Sequence, residues 1–218
     1  MEHSEHSGRE RILGRIRTAV QTPAPKHAAV EIGVPIFPAI PDVLARFQEE
    51  CAFNVTECVL TKDSRSSAEA LAKLMGSISA GEIYVEDAPV LRRVTQMLAA
   101  ERPIRWSREG APSEGSQATV TLAECLVAST GSIFLSSAAA GRAASVVAPV
   151  HFVVASRDQL VADLAAAFSR MSGKDAVMRA SCLFLVTGSS RTADIEKILV
   201  LGAHGPRRVV IILAERLD

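Results

Sequence analysis

The chain has 218 residues, 48% of them hydrophobic and 22% charged. At roughly 150 residues per domain, that fits one large domain with a short appendage and excludes a disordered chain. Lys+Arg and Asp+Glu each number 24, so the formal net charge is zero, which argues against gripping nucleic acid or an acidic membrane surface.

The best uninterrupted apolar run, Val209 to Ala214, reads as a buried strand and is far short of the roughly 18 residues a membrane span needs. Met1 to Arg11 alternates His, Ser, Glu and Arg without an apolar core, so no secretory signal is expected and the cytoplasm is the expected compartment. Cys51, Cys58, Cys125 and Cys182 form no C-x-x-C pair, zinc-finger spacing or ferredoxin run. Reduced structural thiols are expected, with no metal and no cofactor bound by this chain. Cys51 and Cys58, seven apart, are the one pair worth titrating.

In chain order, Ser7 and Glu10 have capping-box spacing, and Ile12, Leu13, Ile16 and Val20 recur at helical intervals, predicting an amphipathic helix over about 9–20. Pro23, Pro25, Pro35, Pro38 and Pro41 follow as an extended connector. Residues 1–40 thus read as an arm and 41–218 as the main domain. The arm's stripe needs cover from the main domain or from another subunit, and a homo-oligomer would supply the latter.

From Pro41 onward strand and helix alternate. A helix carrying Val43, Leu44, Phe47 and Cys51 leads to a strand near 54–60. Ser66 and Glu69 open a helix to about Ile78; a strand covers 82–85; Asp87 and Pro89 start a helix that ends before Pro103, and 104–107 is a short strand. After a loop at 109–117, Cys125 to Ser129 and Ile133 to Ser137 flank Thr130-Gly131 as either a hairpin or one kinked strand. A strand follows at 150–155. Ser156 and Gln159 cap a helix to about Met171, 183–186 is a strand, 193–201 a helix closed by Gly202, and 209–213 the last strand. This alternation predicts an α/β fold with a mostly parallel sheet flanked by helices.

Ligands of open parallel sheets bind beyond the strands' carboxyl ends. That rule gathers Glu86 and Asp87, Ser129 to Ser132, Ser156, and Gly188 to Asp194 along one edge. In Thr187-Gly188-Ser189-Ser190-Arg191-Thr192-Ala193-Asp194, glycine frees the backbone, amides at a helix start attract anions, and Arg191 offers a forked cation. The alternative is an ordinary turn with Thr192 as N-cap and Asp194 and Glu196 at the helix's positive end. Likewise Thr130, Gly131 and Ser132, with Arg142 downstream, either hold a small anion or are turn chemistry. Gly188-x-Ser190-x-Thr192 lacks the last glycine of a nucleophile elbow, and no Walker A or G-x-G-x-x-G occurs. A ten-residue helix over 193–202 is roughly 15 Å long and sets His204 at the pole opposite Arg191.

Ala128 to Leu135 (ASTGSIFL), Arg142 with Pro149-Val150-His151, Thr187 to Glu196 (TGSSRTADIE) and Gly202 to Pro206 (GAHGP) together resemble the lactate utilization protein C family, LutC/YkgG-like. Arg9 to Arg17 (RERILGRIR) resembles that family's opening helix. The resemblance implies a three-layer α/β/α fold related to the NagB/RpiA/CoA-transferase superfamily. It further implies a part in oxidising L-lactate to pyruvate beside partner proteins, at least one carrying iron–sulfur clusters. Ser189 stands where the family usually has Pro, and Ser129 where it often has an acidic residue. The second departure leaves Glu124, Asp194 and Glu86 as candidate acid/base groups. Because the chain has no cluster or flavin motif of its own, redox chemistry is expected in the partners, and an anion pocket, an assembly surface or both in this chain. A stand-alone enzyme on a small phosphorylated or carboxylated metabolite is the alternative.

Overall fold

The computed structural model describes residues 8–21, 38–178, 180–193, 199–202 and 204–218. The chain divides into two compact units, residues 1–39 and 40–218. The first contributes α1 (Gly8–Gln21), none of whose residues is buried, the apolar stripe of Ile12, Ile16 and Val20 included. The expected cap Ser7 and most of the proline connector lie outside the described residues.

In the second unit, α2 (Val43–Phe53) starts at Asp42, whose carboxylate accepts from the Leu44 and Ala45 amides at 3.0 Å, and buries Phe47 and Cys51, one turn apart. After β1 (Glu57–Thr61), α3 (Ser64–Met75) opens earlier than the Ser66/Glu69 spacing predicts. The box is instead Asp63 with Ser66: the Ser66 amide donates to the Asp63 carboxylate (2.8 Å), and Ser66 Oγ accepts from the Asp63 amide (3.0 Å). β2 (Ile83–Val85), α4 (Pro89–Val94, proline in its first turn) and β3 (Ile104–Trp106) follow as expected.

A strand absent from the expected order, β4 (Ala118–Leu122), comes next; its threonines make it resemble the preceding loop. β5 (Cys125–Val127) and β6 (Ser132–Ser136) pair antiparallel, so the Thr130-Gly131 segment turns a hairpin. α5 (Ser137–Ala140) precedes β7 (Val150–Ser156). Ser156 and Gln159 do form a box, but it closes one 3₁₀ turn, after which the chain runs extended as β8 (Leu160–Val161). Asp163 caps the helix that follows, α6 (Leu164–Ser172). α7 (Asp175–Met178) and β9 (Leu183–Val186) complete this region.

Both described ends of the helix expected over 193–201 are strands instead, and residues 194–198 between them lie outside the described residues. Arg191–Ala193 (β10) and Leu199–Leu201 (β11) pair antiparallel, with the β-branched Thr192 and Val200 as register partners. β12 (Arg208–Ala214) ends the fold.

Six strands form one wholly parallel sheet in the order β1-β12-β7-β4-β2-β3. Strand periodicity splits its side chains cleanly. Phe152, Val154, Val210 and Ile212 meet Leu71, Met75, Leu91 and Val94 of α3 and α4 on one face. Val153, Ala155, Val209, Ile211 and Leu213 meet Phe47 and Cys51 of α2, with Leu126, Ile133 and Leu135, on the other. The three-layer α/β/α arrangement therefore holds. Its α2 layer also carries a second sheet, β8-β5-β6-β9, backed by Ala167 and Met171 of α6. No helix among the described residues is long and apolar enough to cross a membrane.

Candidate functional site

The hairpin and β9 bring the two Ser/Thr-Gly bends together. Ile133 pairs with Val186, so Ser132 meets Thr187: their hydroxyls lie 2.6 Å apart, and Thr130 Oγ1 lies 2.8 Å from Ser132 Oγ. Both glycines are left-handed, Gly131 at φ 63° and Gly188 at φ 84°, and both press on the end of α2. A Cβ on Gly131 would stand 2.9 Å from the Glu50 carbonyl carbon, and one on Gly188 would stand 2.5 Å from the Asn54 carbonyl oxygen. Asn54 ties the bends to each other. Its side-chain amide donates to the Thr130 carbonyl (3.1 Å), and its own carbonyl accepts from Arg191 Nη2 (3.3 Å).

The loop carrying His204 joins the same cluster, contrary to the opposite-pole placement. That placement required a helix to carry the chain away; the β10–β11 ribbon instead folds it straight back. The Ser190 amide donates to the Pro206 carbonyl (2.9 Å), the Gly202 amide donates to the Ser190 carbonyl (2.8 Å), and Gly205 sits against Ser190. Three separate motifs, ASTGS, TGSSR and GAHGP, thus meet at one junction.

At this junction Gly188, Ser189 and Ser132 are buried, while Thr187, Arg191 and His204 are exposed. The Thr130, Ser132 and Thr187 hydroxyls are engaged with one another. Arg191 uses one N–H on Asn54 and has no ion-pair partner among the described residues, leaving most of a forked cation for a carboxylate or phosphate. Thr192 lies in β10 and is not a helix cap. Asp194 and Glu196 fall outside the described residues. Arg142 is not brought in: its Nε donates to Ser181 Oγ (3.1 Å), beside the far end of the β6–β9 pair, a strand length of roughly 14 Å away.

The gathering of all these loops along one edge also fails. The junction abuts the last turn of α2 and the starts of β1 and β12, which is the sheet's amino edge, because the β5–β6 hairpin runs back across the sheet from β4. Glu86, Asp87, Glu124 and Ser156 stay at the carboxyl edge, roughly 20 Å away along β7. There the Leu122 amide donates to the Glu86 carboxylate (2.9 Å), and burial, opposed by that bond and aided by Glu124, pushes Glu86 up to about 7. Glu124 pairs with Lys174 at 2.9 Å, and Asp87 with Arg92 at 2.5 Å. A cleft of about 250 Å³ opens nearby, lined by Lys62, Arg157 and Glu215 over Leu44, Leu60 and Leu213. His151 is fully buried, Nε2 2.8 Å from Thr121 Oγ1, and burial lowers it to about 4, so it stays neutral inside the core.

Two further residues of the junction, Glu50 and Asn54, carry no functional signal in the sequence. Asn54 at a helix end signals only a cap; its long-range bonds leave no trace in spacing. Next to it Val55 holds φ 56°, a left-handed conformation unfavourable for a β-branched side chain. Among the described residues, no group of three or more His, Cys, Asp or Glu is placed to hold a metal ion.

Known proteins resemble the chain over most of its length. The lactate utilization protein C of Bacillus subtilis is 25% identical over 94% of this chain and 90% of its own length. The protein YkgG of Escherichia coli is 27% identical over 74% of each chain. A crystal structure of a DUF162 family protein from Deinococcus radiodurans superposes with a TM-score of 0.62, covering 79% of this chain and 96% of that one at 21% identity, which shows a shared fold. The LUD domain family profile matches residues 44–214, spanning the parallel sheet and the motif junction alike. The chain belongs to the LUD domain family.

Proposed function

We propose that this chain serves lactate utilization as a subunit or accessory protein that binds a small anionic metabolite and works beside iron–sulfur oxidoreductase partners. Relatives named for lactate utilization support the metabolic role. The observation that carries the anion-binding part is the exposed Arg191 at the meeting point of three motifs, without an ion-pair partner among the described residues. In this reading Arg191 grips the carboxylate of the metabolite. Thr130, Gly131, Ser132, Gly188, Ser189, Ser190 and Thr192 form the frame that positions it. Electrons pass through the partners, which hold the clusters. Deleting the gene and growing the cells on L-lactate tests the role: loss of growth, restored by the intact gene and not by an Arg191→Ala copy, supports the reading, and normal growth of the deletion strain contradicts it.

Glu86 favours a second reading, a stand-alone enzyme on a small phosphorylated or carboxylated metabolite worked at the carboxyl edge. A buried carboxyl titrating near neutrality at the carboxyl edge suits general acid/base catalysis. A thermal-shift screen of such metabolites separates the two readings: ligands lost in Glu86→Gln favour the enzyme, and ligands lost in Arg191→Ala favour the binding subunit.

A further inference from the structure

We propose that Cys51 and Cys58 form a reversible disulfide whose redox state is transmitted to the motif junction through the turn between them. Cys51 lies on the last turns of α2 and Cys58 on the strand that follows, β1, and both pack into one apolar cluster on the same face of the parallel sheet. Among the four cysteines, this is the pair that shares one apolar cluster. Cys125 is packed under α6, and Cys182 stands just ahead of β9.

The two sulfurs differ in a way that suits ordered exchange. Cys51 is fully buried and its thiol is pushed up, chiefly by the hydrogen bond with Cys58 and then by burial. Cys58 is half-buried, and that same bond lowers it. Cys58 is therefore the sulfur that a small disulfide oxidant, RSSR, reaches first as thiolate. Its attack forms Cys58–S–S–R and releases RS⁻. Cys51, losing its proton, then attacks the Cys58 sulfur and releases the second RS⁻. Two thiols are oxidised to one disulfide, one RSSR is reduced to two RSH, and the two cysteine protons end on the leaving thiolates.

The segment enclosed by the pair is the one on which the junction rests. Asn54 bridges Thr130 and Arg191, Gly188 packs on the Asn54 carbonyl, the Thr56 amide donates to the Cys51 carbonyl at 2.8 Å, and Val55 already sits in a left-handed conformation. Drawing the two sulfurs to a bond length of about 2.05 Å moves the end of α2 against the start of β1. The Asn54 bonds lie directly above that movement.

The test equilibrates the full chain with graded mixtures of reduced and oxidised glutathione and maps peptides by mass spectrometry, with hydrogen exchange across 128–132 and 186–191. The expected result is a dithiothreitol-reversible Cys51–Cys58 cross-linked peptide, 2 Da lighter than the dithiol, with altered exchange in both bends. Cys58→Ser abolishes the cross-link and the exchange response, whereas Cys182→Ser keeps both. A Cys51→Ala variant provides a second route should Cys58→Ser fold poorly. Glutathione mixed disulfides without the cross-link, or a cross-link that leaves exchange in both bends unchanged, overturn the proposal.

Discussion

The two edges of the parallel sheet divide the molecule's chemistry unequally. The carboxyl edge, where sheets of this kind place their ligands, has the open cleft with Lys62 and Arg157 and the neutral-range carboxyl of Glu86. The amino edge has Thr130–Ser132, Gly188–Arg191 and His204–Pro206, locked together on the end of α2. The difference shows the limit of a rule based on strand direction. It holds for loops that leave the main sheet, and it fails for loops carried by a second sheet whose hairpin returns across it.

Filling the glycine contacts disrupts the amino edge and spares the carboxyl edge. Gly188→Ala places a methyl group 2.5 Å from the Asn54 carbonyl at φ 84°, and Gly131→Ala meets Glu50 at 2.9 Å. Each is expected to cost about 3 kcal/mol or more in urea denaturation. Gly141→Ala is the control: it shares the positive φ with nothing within 4 Å, and about 1 kcal/mol is expected from backbone strain alone. Equal costs at all three positions would mean that the junction is not close-packed.

Glu86→Gln examines the other edge. Because the folded value is raised from 4.5 to about 7, the folded chain holds this proton at pH values where the unfolded chain has released it. The stability it contributes is complete below about pH 4.5 and is lost as pH rises through about 7. The glutamine variant should match wild type near pH 4.5 and exceed it by about 3–3.5 kcal/mol at pH 8, since a tenfold change in proton affinity is worth roughly 1.4 kcal/mol. Equal pH dependence in the two proteins would show that Glu86 titrates like an exposed carboxyl.

The smallest expected effect tests the turn under the junction. Val55→Asn, which suits a left-handed residue, should raise stability by about 1 kcal/mol. A loss of stability would place Val55 in an ordinary conformation.

Much of the fold is legible in the sequence because its signals are local. The apolar runs at Val150 and Val209 predict central strands, and Phe47 with Cys51 predicts the buried face of α2. Failures arise where a local signal has two outcomes. The Ser156/Gln159 spacing fits a single turn as well as a helix, and where the N-cap pattern at Thr192 predicts a helix start, 191–193 pairs with 199–201 instead. At the candidate site, the residue types and the meeting of the two bends can be read. The amino-edge location and the Asn54 bridge cannot, because both depend on where a hairpin returns and on bonds spanning 76 and 137 positions.

Calorimetric titration with L-lactate and pyruvate on wild type, Arg191→Ala, Lys62→Ala and Arg157→Ala decides which edge holds the anion. Binding that is abolished by Arg191→Ala and survives both carboxyl-edge substitutions, with all four proteins equally stable, is the predicted result. Binding that survives Arg191→Ala and disappears with Lys62→Ala or Arg157→Ala would move the site to the carboxyl edge and contradict the account.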